Sequence, residues 1–296
     1  MPDRRDPFDA LWRPIVPLAP RPPFAASLRR RLQGELNMPF TDDLTAETAP
    51  FTRAGLVMVH LRVRDADRAM AFFGALLGWE AERVVLGGQV SHYTLNTEVT
   101  VRLLDDPTVP PVVPNYGVTD VAAAVRSIEE ASGRVTAAEV APDGGGWASG
   151  ADDQGVPLLV YRPGGYRGHA APTGSPSGDV GLVFIREDAT RAERFYGAVL
   201  GWQVTRSHPA SQYFDAIPRV GIFDEAAAFG GPVEPSVTLY LSVHALAPAL
   251  ARVEHLGGTA GPGSQDMGPY FSAVCTDDQG TEFGLMAATH EPPDAD

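Results

Sequence analysis

From Leu56 to Val63 the chain runs LVMVHLRV, an apolar and β-branched stretch that reads as a strand. Asp65 follows as an N-cap, and Ala69, Phe72, Phe73, Leu76 and Leu77 recur at helical spacing until Gly78 stops the helix. Three short apolar runs, 79–85, 90–96 and 99–104, predict strands. The order then restarts with a strand over 112–118, a cap at Asp120, a helix over 121–131, and strands near 134–140, 147–151 and 156–161. It returns at 180–185, with Asp188 as cap and a helix over 192–200, and again at 236–243, with a helix over 246–256. In this last unit His244 stands where the others carry Asp.

The recurrence is also literal. RAMAFFGALLGW over 68–79 returns as RAERFYGAVLGW over 191–202, and Asp152-Asp153-Gln154-Gly155 returns as Asp277-Asp278-Gln279-Gly280. Two anchors at nearly equal offset define two copies of one unit, over 54–163 and 178–288. A Gly-, Pro- and Ser-rich linker over 164–177 joins them, and 289–296 is a tail. Each copy holds two βαβββ modules. Strands dominate and the helices can cover one face of the sheets, so the expected class is α+β with four such modules. Residues 1–53 stand apart as an N-terminal helical arm and linker. Prolines 14, 17, 20, 22 and 23 interrupt any long element. Phe24, Leu28, Leu32 and Leu36 then line one helical face beside Arg29, Arg30 and Arg31.

Composition narrows the function. A chain of 296 residues suits two domains of ordinary size. Asp and Glu outnumber basic residues 37 to 23, a net charge of −14 that disfavours nucleic acid. Every basic residue is Arg, which excludes a Schiff-base lysine and a lysine-bearing phosphate loop. The single cysteine, Cys275, excludes an internal disulfide and a multi-cysteine metal centre. No apolar run approaches the ~20 residues of a membrane span, and the start lacks a secretory apolar core, so a cytoplasmic protein without membrane contact is expected.

A strand, an Asp cap and a helix ending in FFGALLGW resemble the vicinal oxygen chelate superfamily, which includes glyoxalase I, bleomycin- and fosfomycin-resistance proteins and extradiol dioxygenases. DDQGVPLLVYRP, over 152–163, is similar to that family's Asp-Pro-x-Gly strand entry. Two units in one chain resemble the tandem actinobacterial form. The resemblance implies two glyoxalase-like domains, each a U-shaped sheet around a concave site.

It also locates where metal-dependent relatives carry ligands: on first strands seven residues before the cap, and on last strands shortly after the glycine. Here those positions hold Met58, Val113, Gly181 and Val237, then Arg102, Leu159, Gly221 and Gly284. None is a usual ligand, so neither a metal nor another cofactor is expected.

Strand alternation puts Met58, His60 and Arg62 on one face, with Arg102 joining from the last strand and Asn115 from the second module. His60 is a candidate base or a cavity-wall histidine. Arg62 and Arg102 suit a carboxylate, phenolate or enolate. Trp147, after three glycines, and Tyr270, its counterpart in the second copy, are candidate stacking residues. The second copy shows Gly181, Val183, Ile185, Val237, Leu239 and Leu241 on the equivalent face, either an apolar hollow or filled core.

Three readings follow. The preferred one is a metal-independent protein that binds a small, planar or anionic organic molecule, in sequestration, resistance or biosynthesis, as a monomer or homodimer. The second is a lyase, isomerase or cyclase with His60 as base and Arg62 or Arg102 stabilising an oxyanion. The third is a metal-dependent glyoxalase or dioxygenase, which would need His60 and His92 as ligands. Which modules pair in a sheet is open at this level.

Overall fold

A computed structural model describes residues 55–86, 88–162, 177–207, 213–224, 228, 234–261, 265–266 and 270–288. The arm, the linker and the tail lie outside these residues. The first module comprises β1 (Leu56–Arg62), α1 (Ala66–Leu77), β2 (Ala81–Leu86), β3 (Gln89–Thr94) and β4 (Thr100–Leu104). The second comprises β5 (Val112–Gly117), α2 (Val121–Glu130), β6 (Arg134–Val140), β7 (Gly146–Ala151) and β8 (Pro157–Arg162). The third comprises β9 (Val180–Arg186), α3 (Ala189–Leu200), β10 (Thr205–Arg206), β11 (Tyr213–Ile217) and β12 (Val220–Phe223). The fourth comprises β13 (Ser236–Ser242), α4 (Leu246–His255), β14 (Thr259–Ala260), β15 (Gln265–Asp266), β16 (Tyr270–Thr276) and β17 (Glu282–Ala288). The class is α+β, with two domains of two modules each.

The caps act as their residue types dictate. Asp65, Asp120 and Asp188 accept from the backbone N–H three residues on, at 2.9, 2.9 and 3.0 Å. Gly78 and Gly201 end α1 and α3 in the left-handed region, at φ 73° and 68°. The fourth helix starts after Ala245 with no side-chain cap.

The module pairing left open by the sequence is settled by the sheets. Modules one and two share one sheet in the order β2-β3-β4-β1-β5-β8-β7-β6. Modules three and four share the other, along β10-β11-β12-β9-β13-β17-β16-β14. In each, the first strand lies between its own module's last strand, parallel, and the partner module's first strand, antiparallel.

The core between the domains is aromatic. Phe72 and Phe73 of α1 meet Phe283 of β17 edge-on, and Phe73 stacks on Trp79. At the equivalent junction Trp202 stacks on Tyr196 and takes Tyr116 edge-on, with both tyrosines fully buried. The two repeated tryptophans thus pack between domains as well as between helix and sheet.

The repeated Asp-Asp-Gln-Gly loops form a reciprocal clasp. Each first Asp closes its own turn, with Asp152 Oδ1 accepting from Gln154 and Val156 N–H and Asp277 Oδ1 from Gln279 and Thr281 N–H. Each Gln then reaches the helix start of the other domain. Gln154 accepts from Asp188 N–H at 2.9 Å and donates to Asp188 O and Glu187 Oε2. Gln279 donates to Asp65 O at 3.1 Å. Arg191–Asp153 and Arg68–Asp278 flank the two junctions. The junctions differ in how many bonds each Gln makes. Gln154→Ala is therefore expected to cost about 1–3 kcal/mol by stranding buried groups, and Gln279→Ala about 1 kcal/mol or less. Denaturant midpoints of the two variants check the order.

Candidate functional site

The eight-stranded sheet curls around a hollow of about 860 Å³. Its floor is Met58 and His60 of β1 with Val113 and Asn115 of β5. One wall carries Tyr93, Arg102 and Leu104 of β3 and β4, and the other carries Trp147, Leu159 and Tyr161 of β7 and β8. This size and mixture, apolar walls with a few polar groups, suit a small organic ligand.

Alternation along β3 decides which groups enter. Ser91 and Tyr93 turn to Arg102: its guanidinium donates to Ser91 Oγ from Nη2 at 3.0 Å and lies 5.2 Å from the Tyr93 ring centre. His92 turns to the helix side, where Nε2 lies 2.7 Å from Asp67 Oδ1. The Arg83 guanidinium and His92 hold the Asp67 carboxyl well below its ordinary range. His60 and His92 therefore do not converge, which removes the ligand pair that the third reading required.

His60 is 9% exposed, with Nε2 2.9 Å from Asn115 Nδ2. Burial, and then the neighbouring Arg102 charge, push its pKa down to about 3. At neutral pH the ring is uncharged and a poor proton acceptor, which argues against the general-base role considered from sequence. Asn115 is buried beside it, and its Oδ1 has no protein partner.

Arg62 shares strand parity with His60 but does not line the hollow. The strand ends at Arg62, and the loop after β4 wraps over it, so Nη1 donates to Val109 O at 2.9 Å. It borders a separate groove with Arg64, Thr238, Thr281 and Glu282. Trp147 sits within β7, opposite Glu139 and Tyr161, rather than on a free hairpin tip. The tip itself is tied down, because Gly144 O accepts from Val121 N–H at the start of α2. Tyr270 belongs to the second sheet, 41% exposed, and takes no part in this hollow.

The second sheet reverses the expected parity: Val183, Ile185, Leu239 and Leu241 are buried in the main core rather than facing a hollow, and among the described residues the opposite face carries its own apolar cluster. Phe184, Tyr240 and Met286 pack there with Leu182, Phe223 and Val274. The Tyr240 ring lies over Gly284 and Met286 over Gly181, so these glycines admit neighbouring side chains rather than a ligand. Arg219 bridges the domains. It pairs with Asp179 at 2.7 Å and with Glu98.

Metal-dependent relatives imply an ion in such a hollow, but the residues present do not fit one. The floor offers one imidazole, and its neighbours are a thioether, an amide and a guanidinium cation that would repel a second cation. Among the described residues no three His, Cys, Asp or Glu side chains gather as a metal site. No described helix is long and apolar enough to cross a membrane.

Residues 55–158 match the Glyoxalase/Bleomycin resistance protein/Dioxygenase superfamily, and residues 181–286 match the Glyoxalase-like domain. Similar solved structures include a Mn(II)-bound glyoxalase from Novosphingobium aromaticivorans, at 16% identity and TM-score 0.53, covering 80% of this chain and 82% of that one. Another is the 2,2',3-trihydroxybiphenyl 1,2-dioxygenase of Sphingomonas wittichii, at 16% identity and TM-score 0.54, covering 83% and 94%. A third is the 2,3-dioxygenase LapB from a Pseudomonas species, at 12% identity and TM-score 0.55, covering 84% and 97%. At these identities the likeness is one of fold. No curated protein sequence matches the chain.

Proposed function

The chain belongs to the glyoxalase/bleomycin resistance protein/dioxygenase superfamily, the vicinal oxygen chelate fold, as a tandem two-domain member, and we propose that it binds a small, planar or anionic organic molecule in its first-domain hollow without a metal. The observation that carries this reading is the polar content of the hollow. An uncharged imidazole, an amide and a guanidinium stand together among apolar and aromatic side chains, and Gln89, Asp106, Thr108, Arg134, Thr136 and Ser149 add further polar groups to the lining. A guanidinium backed by Ser91 and Tyr93 is pre-positioned for an anion. Trp147 and Tyr161, paired across β7 and β8, offer flat apolar surface to a planar body.

The role is sequestration, or holding a biosynthetic intermediate. With one buried cysteine and a net charge of −14, a cytoplasmic monomer or homodimer is the setting we propose. A thermal-shift screen of small aromatic acids against divalent metals tests the reading. Aromatic acids are expected to raise the melting temperature and metals to leave it unchanged. Arg102→Ala is expected to weaken the best acid by about 10–100-fold with the fold intact, as for a lost charged hydrogen bond. A tightly held divalent ion in the purified protein, or an affinity indifferent to Arg102→Ala, would overturn it.

A further inference from the structure

The proposed hollow contains an unusual juxtaposition. His60 and Arg102 face each other directly in the parallel pairing of β1 and β4, with main chains about 4.8 Å apart. The Arg102 guanidinium uses Nε and Nη2 on Ser91 Oγ, which leaves Nη1 without a protein partner among the described residues. The Asn115 amide N–H₂ stands at His60 Nε2 and, as a donor, claims that nitrogen's lone pair. The imidazole's own proton then belongs on Nδ1, which is neither bonded to a described residue nor among the buried unpartnered atoms. His60 lines the hollow, so this is the nitrogen left to meet a ligand.

Resting on the binding reading above, we infer that His60 acts as a neutral hydrogen-bond donor through Nδ1–H and forms with Arg102 a two-donor grip for a carboxylate or enolate. Asn115 is the positioning residue that fixes the imidazole tautomer. One ligand oxygen faces Nδ1–H and its partner, or the same oxygen's second lone pair, faces the guanidinium. An amide and a neutral imidazole create this grip without adding charge, whereas a protonated histidine beside Arg102 would oppose it. The depressed proton affinity of His60 agrees with a ring held neutral.

The test uses the full chain, with ¹⁵N ring spectra of His60 and benzoate as the probe. In the native protein near pH 7 the ring proton is expected on Nδ1, and benzoate is expected to move that resonance. Asn115→Asp replaces the donor with an acceptor and is expected to shift the proton to Nε2 and to weaken benzoate by at least about 10-fold. Asn115→Leu, which adds no charge, is expected to give mixed tautomers and a smaller loss. A native ring protonated on Nε2, or benzoate binding equal in both Asn115 variants and wild type, overturns the inference. Benzoate that is lost in Arg102→Ala yet kept in both Asn115 variants defeats this inference alone. No benzoate binding by the native chain defeats the grip and counts against the binding reading with it, whatever the tautomer.

Discussion

Asp179→Ala is expected to cost the fold about 3–5 kcal/mol, the range for breaking a buried charge pair from one side. Asp179 stands at the entry to the second domain with a side chain 1% exposed. Its Oδ1 accepts from Val99 and Val180 N–H, and its Oδ2 accepts from Arg219 Nη1. Val99 lies in the first domain, so one carboxylate joins two sheets and neutralises an arginine that is itself 9% exposed. Removing it strands two backbone donors and leaves a buried cation. Glu98 also meets Arg219, but it is 40% exposed, and Glu98→Gln is expected to cost about 1 kcal/mol or less. Urea unfolding should show a much lower midpoint for the first variant and almost none of that shift for the second.

The second large effect concerns pH. Glu187 is fully buried at the clasp, facing Asp152 and Asp153 of the loop before β8, Arg191 and Tyr196 of α3, and Tyr116 of β5. Burial first, and then the Asp152 charge and hydrogen bond, raise its pKa to about 10. The folded chain therefore keeps this proton where the unfolded chain has lost it. The unfolded state releases the proton near the ordinary value of 4.5 and the folded state near 10, so between these limits the folded state binds more protons. Stability falls as pH rises through that window, by up to about 1.4 kcal/mol per pH unit from this group. Below the window both states are protonated and the penalty is absent. Glu187→Gln carries a permanent neutral amide of the same shape that can still accept from Gln154. It is expected to melt above wild type near pH 9, with the gap closing toward pH 5. Melting curves that stay parallel across this range would show that Glu187 is not the proton held there.

Local features were readable from the sequence because they depend on local chemistry. Asp65, Asp120 and Asp188 cap helices since a carboxylate one residue before a helical apolar pattern has few other uses. His60 and Asn115 were placed on one face by counting in twos along strands that are regular where those residues stand, and Arg102 came from the last-strand position that the family resemblance implies. The same count misplaced Arg62, because parity loses its meaning where a strand ends and a loop folds over it. Trp147 drew notice because it follows three glycines, and those glycines shape a turn whose far side is bonded to α2. Ser91 and Tyr93 were missed, yet the alternation of Gln89, Ser91 and Tyr93 against His92 was available to find them.

Long-range features had no local signature. The Asp-Asp-Gln-Gly repeat was visible as a motif, and its Asp explains a turn. Nothing in the motif says that its Gln crosses to another domain. The sheet pairing of the modules was equally hidden, since either arrangement satisfies the same strand and helix patterns.

The crosswise bonding of Gln154 and Gln279 also bears on how such a chain can change over time. A loop from each half finishes a helix in the other, so neither half is a self-sufficient part that could be shed or exchanged without leaving raw ends in what remains. Their interiors are under no such bond: one still encloses space, and the other has traded space for aromatic filling. Mutual dependence at the seam thus leaves the two interiors at liberty to diverge, with one half filled and the other hollow.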